Sequence, residues 1–326
     1  MANIVDCRRF SVVIPLYNKS QYVSKAVESV LAQTHKEFEL IIINDGSSDN
    51  SLEEVQKLQD HRLKVISQPN SGVSVARNNG VKAAQHDYIA FLDADDWWHP
   101  TFLEEMSVLI NTFPSAGLYG SSYEVVKNQI HRRAEIALED RFSGYIDYFK
   151  IYAATFWVPI NCSFVVVKKL IFEEMKGFKA ALKFGEDLDL WIRIALKHQV
   201  AYINKCLAFS NQDVETANRA LGGEKCWRKE EHVIFNLDYL QAEELRRPNL
   251  KYLLDGLRLR SMQDFYLTAA HKEEVVKIIN RIDFSEHSFL YRFIYRWPKP
   301  IVSIYFWFKG VGSVCKQAIL VRIRPQ

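Results

Sequence analysis

The segment DYIAFLDADDWWHP, residues 87–100, decides the fold class because its character changes twice within a few positions. Its apolar beginning predicts a buried β-strand, and Pro100 is a residue that the first turn of a helix tolerates. Between the two lie three carboxylates, Asp93, Asp95 and Asp96. A strand, a polar turn and a helix in this order are typical of the repeating unit of an α/β protein.

The same unit occurs three more times toward the N-terminus. Each apolar run is followed by a polar loop and by a segment with apolar residues at helical spacing. The four predicted strands are residues 10–16, 38–45, 63–68 and 87–93. Strands that are apolar throughout and separated by helices predict a parallel sheet covered on both faces. We therefore predict an α/β fold with a Rossmann-like, mostly parallel sheet.

Polar side chains follow three of these strands at the point where each strand ends. Tyr17 follows the first strand, Asp45 ends the second, and the three aspartates follow the fourth. In parallel sheets, ligands bind beyond the carboxyl ends of the strands. Although aspartate is also a common turn residue, three such ends together favour a binding site.

The second half of the chain is less regular. Residues 162–169 predict a further strand, and residues 184–199 predict a helix with Trp191 in its apolar stripe. After Cys226, three apolar stripes at helical spacing begin at Val233, Leu250 and Val275. We predict a sheet domain over residues 1–225 and a helical extension over residues 226–326.

Composition excludes several classes of protein. The 326 residues are 48% hydrophobic and 25% charged, with a net charge of +3, which argues against a protein that binds nucleic acid over its whole surface. The five cysteines contain no Cys-x-x-Cys pair, so neither a zinc ribbon nor a disulfide framework is predicted, and a reducing cytoplasm is expected. No signal peptide and no membrane-spanning run is recognisable.

The acidic turn after the fourth strand has a chemical interpretation. Asp93 and Asp95 are separated by one residue, so two carboxylates would lie close together and repel each other. A hard cation such as Mg²⁺ or Mn²⁺ relieves this repulsion and keeps coordination sites for the phosphates of a substrate. Bound there, it would act as a Lewis acid toward a departing phosphate.

Five ordered motifs resemble those of family-2 glycosyltransferases with the GT-A fold. They are VVIPLYN, IINDGSSDNS, NSGVSVARNNGV, YIAFLDADDWWHP and FGEDLDLW, and they span about residues 10 to 200. The resemblance implies an enzyme that transfers a sugar from a nucleoside-diphosphate donor. It also implies a divalent metal and inversion at the anomeric carbon.

The resemblance also implies roles for individual residues at the donor site. Those implied to contact the nucleotide are Pro15, Leu16, Tyr17, Asp45, Gly72 and Arg77. Asp45 is implied to accept a hydrogen bond from the base, with a turn or a helix cap as the alternative. Arg77 suits a base carbonyl or a phosphate oxygen, with a surface ion pair as the alternative.

The metal is implied to bind Asp95, with Asp93 meeting either the ribose or the metal. Asp96 either supports these ligands indirectly or caps the following helix. Many members of the family have a histidine on a late loop, but the corresponding residues 208–220 contain none. Asn211, Gln212, Asp213 or Arg219 could contact the diphosphate in its place.

Asp187 is implied to be the catalytic base that removes a proton from the acceptor hydroxyl, with Glu186 as the second choice. Both stand at the start of a predicted helix, whose positive end is expected to keep Asp187 ionised. Asp189 is predicted to face solvent. Trp97 and Trp98 either pack in the core or stack on the acceptor sugar.

The C-terminal tail, residues 287–326, contains no acidic residue. It has seven basic residues: Arg292, Arg296, Lys299, Lys309, Lys316, Arg322 and Arg324. These alternate with aromatic residues, which fits a segment at a membrane surface, with a core-packing helix pair as the alternative. A lipid-linked saccharide acceptor at the cytoplasmic face of the inner membrane would explain such docking.

The loop after the first predicted strand argues against two other classes of enzyme. A metal-dependent nucleotidyltransferase usually needs a Gly-rich basic loop after the first strand, and PLYNKSQY contains no glycine. A dinucleotide-dependent oxidoreductase needs Gly-x-Gly-x-x-Gly at the same place. An inactive sugar-nucleotide-binding or membrane-scaffold protein is opposed by the presence of Asp93, Asp95 and Asp187. UDP is the expected nucleotide by analogy with the family.

Overall fold

The computed structural model describes residues 8–214, 228–298, 300–302, 304 and 305. These residues divide into two compact units, one that ends at Tyr239 and one that begins at Leu240. The first unit contains the sheet and the second is helical. The predicted domain boundary at 225/226 stays a prediction, because residues 215–227 lie outside the described part of the chain.

The first four strands form a parallel sheet, as their apolar sequences predict. They are β1 (Phe10–Leu16), β2 (Phe38–Asp45), β3 (Leu63–Gln68) and β4 (Tyr88–Phe91), in the spatial order β3-β2-β1-β4. Because the carboxyl ends of parallel strands share one edge, the loops after β1, β2 and β4 meet there.

Four helices accompany these strands: α1 (Val23–Leu31), α2 (Ser51–Gln56), α3 (Val73–Ala83) and α4 (Phe102–Thr112). Their buried residues recur mainly at three- and four-residue spacing, which gives each helix one buried stripe. In α1 this stripe is Val23, Ala26, Val27 and Val30, all buried.

The sheet continues with strands whose sequence pattern is weaker. They are β5 (Trp97–Trp98), β6 (Ala116–Lys127), β7 (Ile130–Arg133), β8 (Ser143–Ile146), β9 (Val165–Lys168) and β10 (Gln199–Asn211). The order beyond β4 is β9-β6-β10-β5, with β7 beside β6 and β8 beside β10. β9 is antiparallel to both of its neighbours, whereas β6 and β10 form a long parallel pair. The predicted α/β fold is thus confirmed, with a mixed second half.

Three helices accompany the second half: α5 (Tyr148–Thr155), α6 (Lys169–Glu174) and α7 (Glu186–Ala195). Gly185 precedes α7 with φ of +75°, in the left-handed region that favours glycine. A Cβ atom at Gly185 would lie 2.3 Å from Val233 Cγ1, so a side chain has no room there. The chain therefore enters α7 by one fixed path.

The second unit consists of α8 (Gln241–Arg246), α9 (Pro248–Thr268), α10 (Lys272–Ile279) and α11 (Phe289–Arg296). The predicted helical stripes at Leu250 and Val275 lie on α9 and α10. The stripe that begins at Val233 was wrong as an α-helix, because that segment forms two short 3₁₀ turns. Within the described residues, no helix combines the length and apolarity that crossing a membrane would require.

Candidate active site

A cavity of about 670 Å³ opens at the carboxyl ends of the strands, within the first unit. Its volume is in the range usual for small-molecule sites. The lining includes most of the residues singled out from the sequence: Pro15, Tyr17, Asp45, Gly72, Arg77, Asp93, Asp95, Asp96, Glu186 and Asp187. Residues far apart in the chain therefore converge on one pocket.

The loop after β1 supplies one wall of the cavity. Tyr17 is 47% exposed, so its ring is available to a ligand. Leu16 is fully buried and does not line the cavity, which contradicts its prediction as a nucleotide contact. The reason is the alternation of side chains along a strand, which turns Leu16 into the core and its neighbours Pro15 and Tyr17 toward the pocket.

Asp45 organises the loop that follows β3. Its Oδ1 accepts hydrogen bonds from Gln68 Nε2 at 2.7 Å and from the Ser71 amide at 2.8 Å. Its Oδ2 accepts one from the Gly72 amide at 2.8 Å. Gly72 has φ of +90°, which only glycine adopts readily. A carboxylate has about four lone-pair sites, so three donors leave room for one more.

Arg77 connects the acidic turn to the start of α7. Its Nη2 donates to Asp93 Oδ1 at 2.6 Å, and its Nη1 donates to Glu186 Oε1 at 2.7 Å. The guanidinium is almost fully buried, and although burial opposes its charge, the carboxylates of Asp93 and Glu186 hold its pKa well above the usual value. Arg77 thus ties the candidate metal ligand to the candidate catalytic helix.

Asp93 and Asp95 each use one oxygen on a cation. Lys19 Nζ lies 2.6 Å from Asp95 Oδ2, matching the contact of Arg77 with Asp93. The other carboxylate oxygen of Asp93 has no hydrogen bond to any residue that the structure describes. Mg²⁺ and Mn²⁺ take few protein oxygens and keep other positions for water and phosphate. The donor set therefore fits such an ion, although no cluster of three or more His, Cys, Asp or Glu residues suited to a metal occurs among the described residues.

Asp96 does not cap the helix that follows it. It is buried, and its Oδ1 accepts a hydrogen bond from the Asn211 amide at 2.8 Å. Burial and the neighbouring carboxylates Asp95 and Asp93 raise the pKa of Asp96 well above its usual value. The residue thus anchors the end of β10 to the acidic turn.

The late loop that lacks histidine contributes to the cavity in its described part. Asn211 and Gln212 line the pocket. Asp213 instead accepts hydrogen bonds from the Asn128 amide, at the β6–β7 turn, and is not among the cavity-lining residues. Arg219 lies outside the described residues.

Asp187 lies half-buried at the first turn of α7. Burial, together with the neighbouring carboxylate of Glu186, raises the pKa of Asp187 to about 7. The only hydrogen bond that its carboxylate accepts from a described residue comes from the adjacent Leu188 amide, at 2.7 Å. The expectation that the helix end keeps this group fully ionised was therefore wrong, because burial and a like charge outweigh it. A pKa near neutrality suits a general base.

Asp189 was predicted to face solvent, and that was wrong. It is fully buried, and Lys179 Nζ contacts its Oδ1 at 2.6 Å. Arg193 and the hydroxyl of Tyr239 donate to it as well, both at 2.8 Å. The residue holds α7 in place through these partners, so it has a structural role beside the site.

Neither tryptophan of the acidic turn lines the cavity. Trp98 is buried, stacks on Phe102 with ring centroids 4.1 Å apart, and donates from Nε1 to the Ser163 carbonyl at 2.6 Å. Trp97 stacks on Phe209 at 5.5 Å. Trp98 thus packs in the core, which corrects its acceptor prediction. Trp97 is half-buried, and its acceptor role stays a prediction.

Several lining residues were missed from the sequence: Lys19, Asn70, Asn161, Cys162 and Lys183. Lys19 was within reach of the analysis, because it follows Tyr17 in the same polar loop at a strand end. Asn70 was also within reach, because it begins the NSGVSVARNNGV motif. Asn161, Cys162 and Lys183 had no such signal, since only the tertiary structure brings them to the pocket.

The sheet order and the acidic cavity at the strand ends are those of the GT-A class of α/β proteins. Residues 11–168 match the family model described as glycosyl transferase family 2. Over these residues the match confirms the resemblance drawn from the motifs.

Known proteins agree with this assignment. A protein of Rickettsia felis named as an uncharacterized glycosyltransferase is 34% identical over 209 residues, which cover 61% of this chain but 32% of that protein. The chain thus spans about a third of that relative's length. The crystal structure of S. aureus TarS 1-349 in complex with UDP-GlcNAc superposes with a TM-score of 0.68 at 17% identity, covering 83% of this chain and 79% of the 1-349 chain. The mannosyltransferase PcManGT of Pyrobaculum calidifontis, in complex with GDP-Man and Mn²⁺, gives 0.52 at 16% identity, covering 85% and 74%. At these identities the two structures confirm the fold alone.

Proposed function

We propose that the chain is an inverting glycosyltransferase that moves a sugar from a nucleoside-diphosphate donor, a UDP-sugar by preference, to a hydroxyl of a saccharide acceptor. The observation that carries the proposal is the position of Asp187. A carboxylate with a pKa of about 7 lines the same cavity as the paired aspartates Asp93 and Asp95. Such a reaction needs a catalytic base and a binding site for the diphosphate.

The donor would lie with its nucleotide toward the loops after β1 and β2. Tyr17 offers an exposed aromatic face, and Asp45 keeps one acceptor site for a base N–H. This orientation directs the diphosphate toward the acidic turn. The comparison with TarS, whose complex holds UDP-GlcNAc, supports a uridine nucleotide.

The transfer requires one proton acceptor. The acceptor oxygen forms a bond to the anomeric carbon while the bond from that carbon to the phosphate oxygen breaks, and the nucleoside diphosphate leaves. Asp187 takes the proton of the acceptor hydroxyl, which makes the oxygen a better nucleophile. Arg77 holds Glu186 and thereby fixes the first turn of α7, so the base keeps its orientation.

Asp93 would hold the divalent ion through the carboxylate oxygen that Arg77 leaves free, and Asp95 would join it as a ligand. Bound there, Mn²⁺ or Mg²⁺ supplies Lewis-acid stabilisation of the leaving diphosphate. The Mn²⁺ in the PcManGT complex supports this assignment by analogy.

Replacing Asp187 tests the proposal. The Asp187→Asn variant should bind UDP as the wild type does while transfer falls by at least about 10³-fold, because only the base is lost. A library of nucleotide sugars and saccharide acceptors identifies the substrates, and calorimetry measures UDP binding. Wild-type turnover with triphosphates alone would favour a nucleotidyltransferase, and binding with no turnover would favour an inactive binding protein.

We propose in addition that the chain docks on the cytoplasmic face of the inner membrane and acts on a lipid-linked saccharide. In the described part of the C-terminal tail, Phe289 is 71% exposed, Trp297 48% and Ile304 55%. Exposed apolar side chains beside basic residues suit an anionic lipid surface. The rest of this tail, residues 299, 303 and 306–326, lies outside the described residues.

Flotation with liposomes tests the docking. The full chain should float with vesicles that contain anionic lipid and not with neutral ones, and raised salt should release it. A variant without residues 287–326 should stay at the bottom of the gradient. Equal flotation of the shortened and full chains would refute the proposal.

A further inference from the structure

Asp95 already has a cation beside it. Lys19 Nζ lies 2.6 Å from Asp95 Oδ2, and the two side chains are only 14% and 20% exposed. This contact is one of the closest in the cavity, and it involves the residue to which the sequence assigns the metal. A partly buried carboxylate and a partly buried ammonium attract each other more strongly than a surface pair does.

The backbone beneath Lys19 is fixed by the neighbouring loop. The Lys19 amide donates to Ser51 Oγ at 2.7 Å, and the Ser20 amide donates to Asp49 Oδ2 at 3.1 Å. On the other side, the Ser48 amide donates to Asn18 Oδ1 at 2.8 Å. These bonds join the loop after β1 to the loop after β2, so the base of the Lys19 side chain stays at one place.

The two cation contacts of the acidic turn differ in how easily they can be exchanged. Arg77 is buried and bonded to both Asp93 and Glu186, so leaving Asp93 would strand a charge in the protein interior. Lys19 reaches Asp95 through a flexible four-carbon stem that ends in a compact ammonium, and its side chain is more exposed than that of Arg77. Its side chain can swing away while its backbone stays fixed.

We propose that Lys19 is a built-in competitor for the divalent cation at Asp95, so that the metal binds only when the ammonium leaves this carboxylate. The inference rests on the proposed function, because it takes Asp95 to be a metal ligand. A divalent ion on Asp95 would be repelled by the compact ammonium of Lys19 on the same carboxylate, more strongly than by the delocalised charge of Arg77 on Asp93. Lys19 therefore weakens metal binding to the empty site and neutralises Asp95 whenever no metal is present.

The displaced ammonium has a use once a donor is bound. Lysine is a common phosphate ligand, and Lys19 is anchored beside the acidic turn to which the diphosphate is assigned. The Lys19 ammonium would thus move from the Asp95 carboxylate to a phosphate when the metal and the donor bind. Lys19 becomes a residue that sets metal affinity, a role distinct from that of a catalytic group.

Mn²⁺ titration followed by electron paramagnetic resonance tests the competition, since free aqueous Mn²⁺ gives a signal that is lost on binding. The probe is Mn²⁺ alone, without nucleotide, on the full chain. Lys19→Met should bind Mn²⁺ about tenfold more tightly than the wild type, and Lys19→Arg, which keeps the charge, should not. If Lys19→Met does not fold, as judged by circular dichroism, Lys19→Gln takes its place.

Lys183→Met is the matched control. Lys183 also lines the cavity, but its ammonium makes no ion pair with a described residue, so its loss changes the net charge of the cavity without freeing Asp95. The expected Mn²⁺ affinity of this variant is within about twofold of the wild type. Equal tightening in both variants would show a general charge effect and overturn the proposal.

Asp95→Asn, combined with Lys19→Met, should remove the gain in affinity. No tightening in Lys19→Met, or tightening that survives this second change, would also overturn the competition. Wild-type transfer from nucleotide sugars is measured separately, so a failure of the competition is distinguishable from a failure of the proposed activity.

Discussion

Asp187 and Asp189 show how differently two aspartates of one helical turn can behave. Asp187 has a like-charged neighbour, and its pKa rises to about 7. Asp189 is more deeply buried, yet Lys179 and Arg193 lie within 2.8 Å of its two oxygens as counter-charges. Burial alone therefore does not decide the chemistry of a carboxylate, whereas burial together with its partners does.

The pKa of Asp187 predicts the pH dependence of transfer. The base works only when ionised, so kcat/KM should fall about tenfold for each pH unit below 7 and level off above it. A profile between pH 5 and 9, with UDP binding measured in parallel, checks this. A profile that stays flat down to pH 5 would remove Asp187 as the base.

The raised pKa of Asp187 also predicts how stability depends on pH, and here the trend is opposite to that of activity. Because the folded pKa is about 7 and the usual value is 3.8, the folded state binds more protons than the unfolded state between these pH values. Stability is therefore lost as pH rises through this window. Asp187→Asn should raise Tm relative to the wild type at pH 8 and not at pH 4, as measured by calorimetry. A Tm difference that is equal at both pH values would contradict the shift.

We predict that substitution of Asp189 causes a large loss of stability. Asp189→Asn leaves Lys179 and Arg193 without their buried counter-charge, which should lower the free energy of unfolding by about 3 kcal/mol. Denaturant unfolding measures this. Glu105→Gln is the control, because the Lys205–Glu105 pair is 45% and 26% exposed and should contribute less than about 1 kcal/mol. Equal losses would show that burial of the pair is irrelevant.

At the scale of elements, α3 lies unusually close to β1. A Cβ atom added at Gly80 would lie 2.3 Å from Val13 Cγ1, well inside van der Waals contact. Gly80 therefore occupies this position within α3 because a larger residue would clash with Val13, although alanine has the higher helix propensity.

This close contact predicts a rescue experiment. Gly80→Ala should lower the free energy of unfolding by about 1–3 kcal/mol, because overpacking outweighs the gain in propensity. Adding Val13→Ala, which removes the obstructing methyl groups, should recover part of that loss relative to the sum of the two single changes. Strictly additive losses in denaturant unfolding would contradict the close approach.

Elements differ in how far the sequence could predict them. β1 to β4 were predictable because each is an apolar run that ends in a polar loop, a pattern contained within a few residues. β6 and β10 were missed, although they form the longest parallel pair of the sheet. Both contain small and polar residues, such as Ser121 and Asn204, that the sheet buries only through partners distant in the chain.

At the scale of the whole molecule, ligand binding should appear as stabilisation. A ligand at 100 times its Kd raises the free energy of unfolding by about 2.7 kcal/mol. A thermal-shift panel of UDP, GDP, dTDP and CDP, each with and without Mn²⁺, should show the largest rise for UDP with Mn²⁺. Stabilisation by triphosphates and not by diphosphates would instead favour a nucleotidyltransferase.

The sequence by itself determined the α/β class, the family resemblance and about half of the cavity residues, because these depend on short apolar runs and on polar residues at strand ends. Only the tertiary structure decided which polar groups meet. It paired Lys19 with Asp95 and Arg77 with both Asp93 and Glu186, and it turned Leu16, Trp98 and Asp189 inward. The physical reason is that partners and burial depend on contacts between distant segments, and these contacts set the charge state and the role of each side chain.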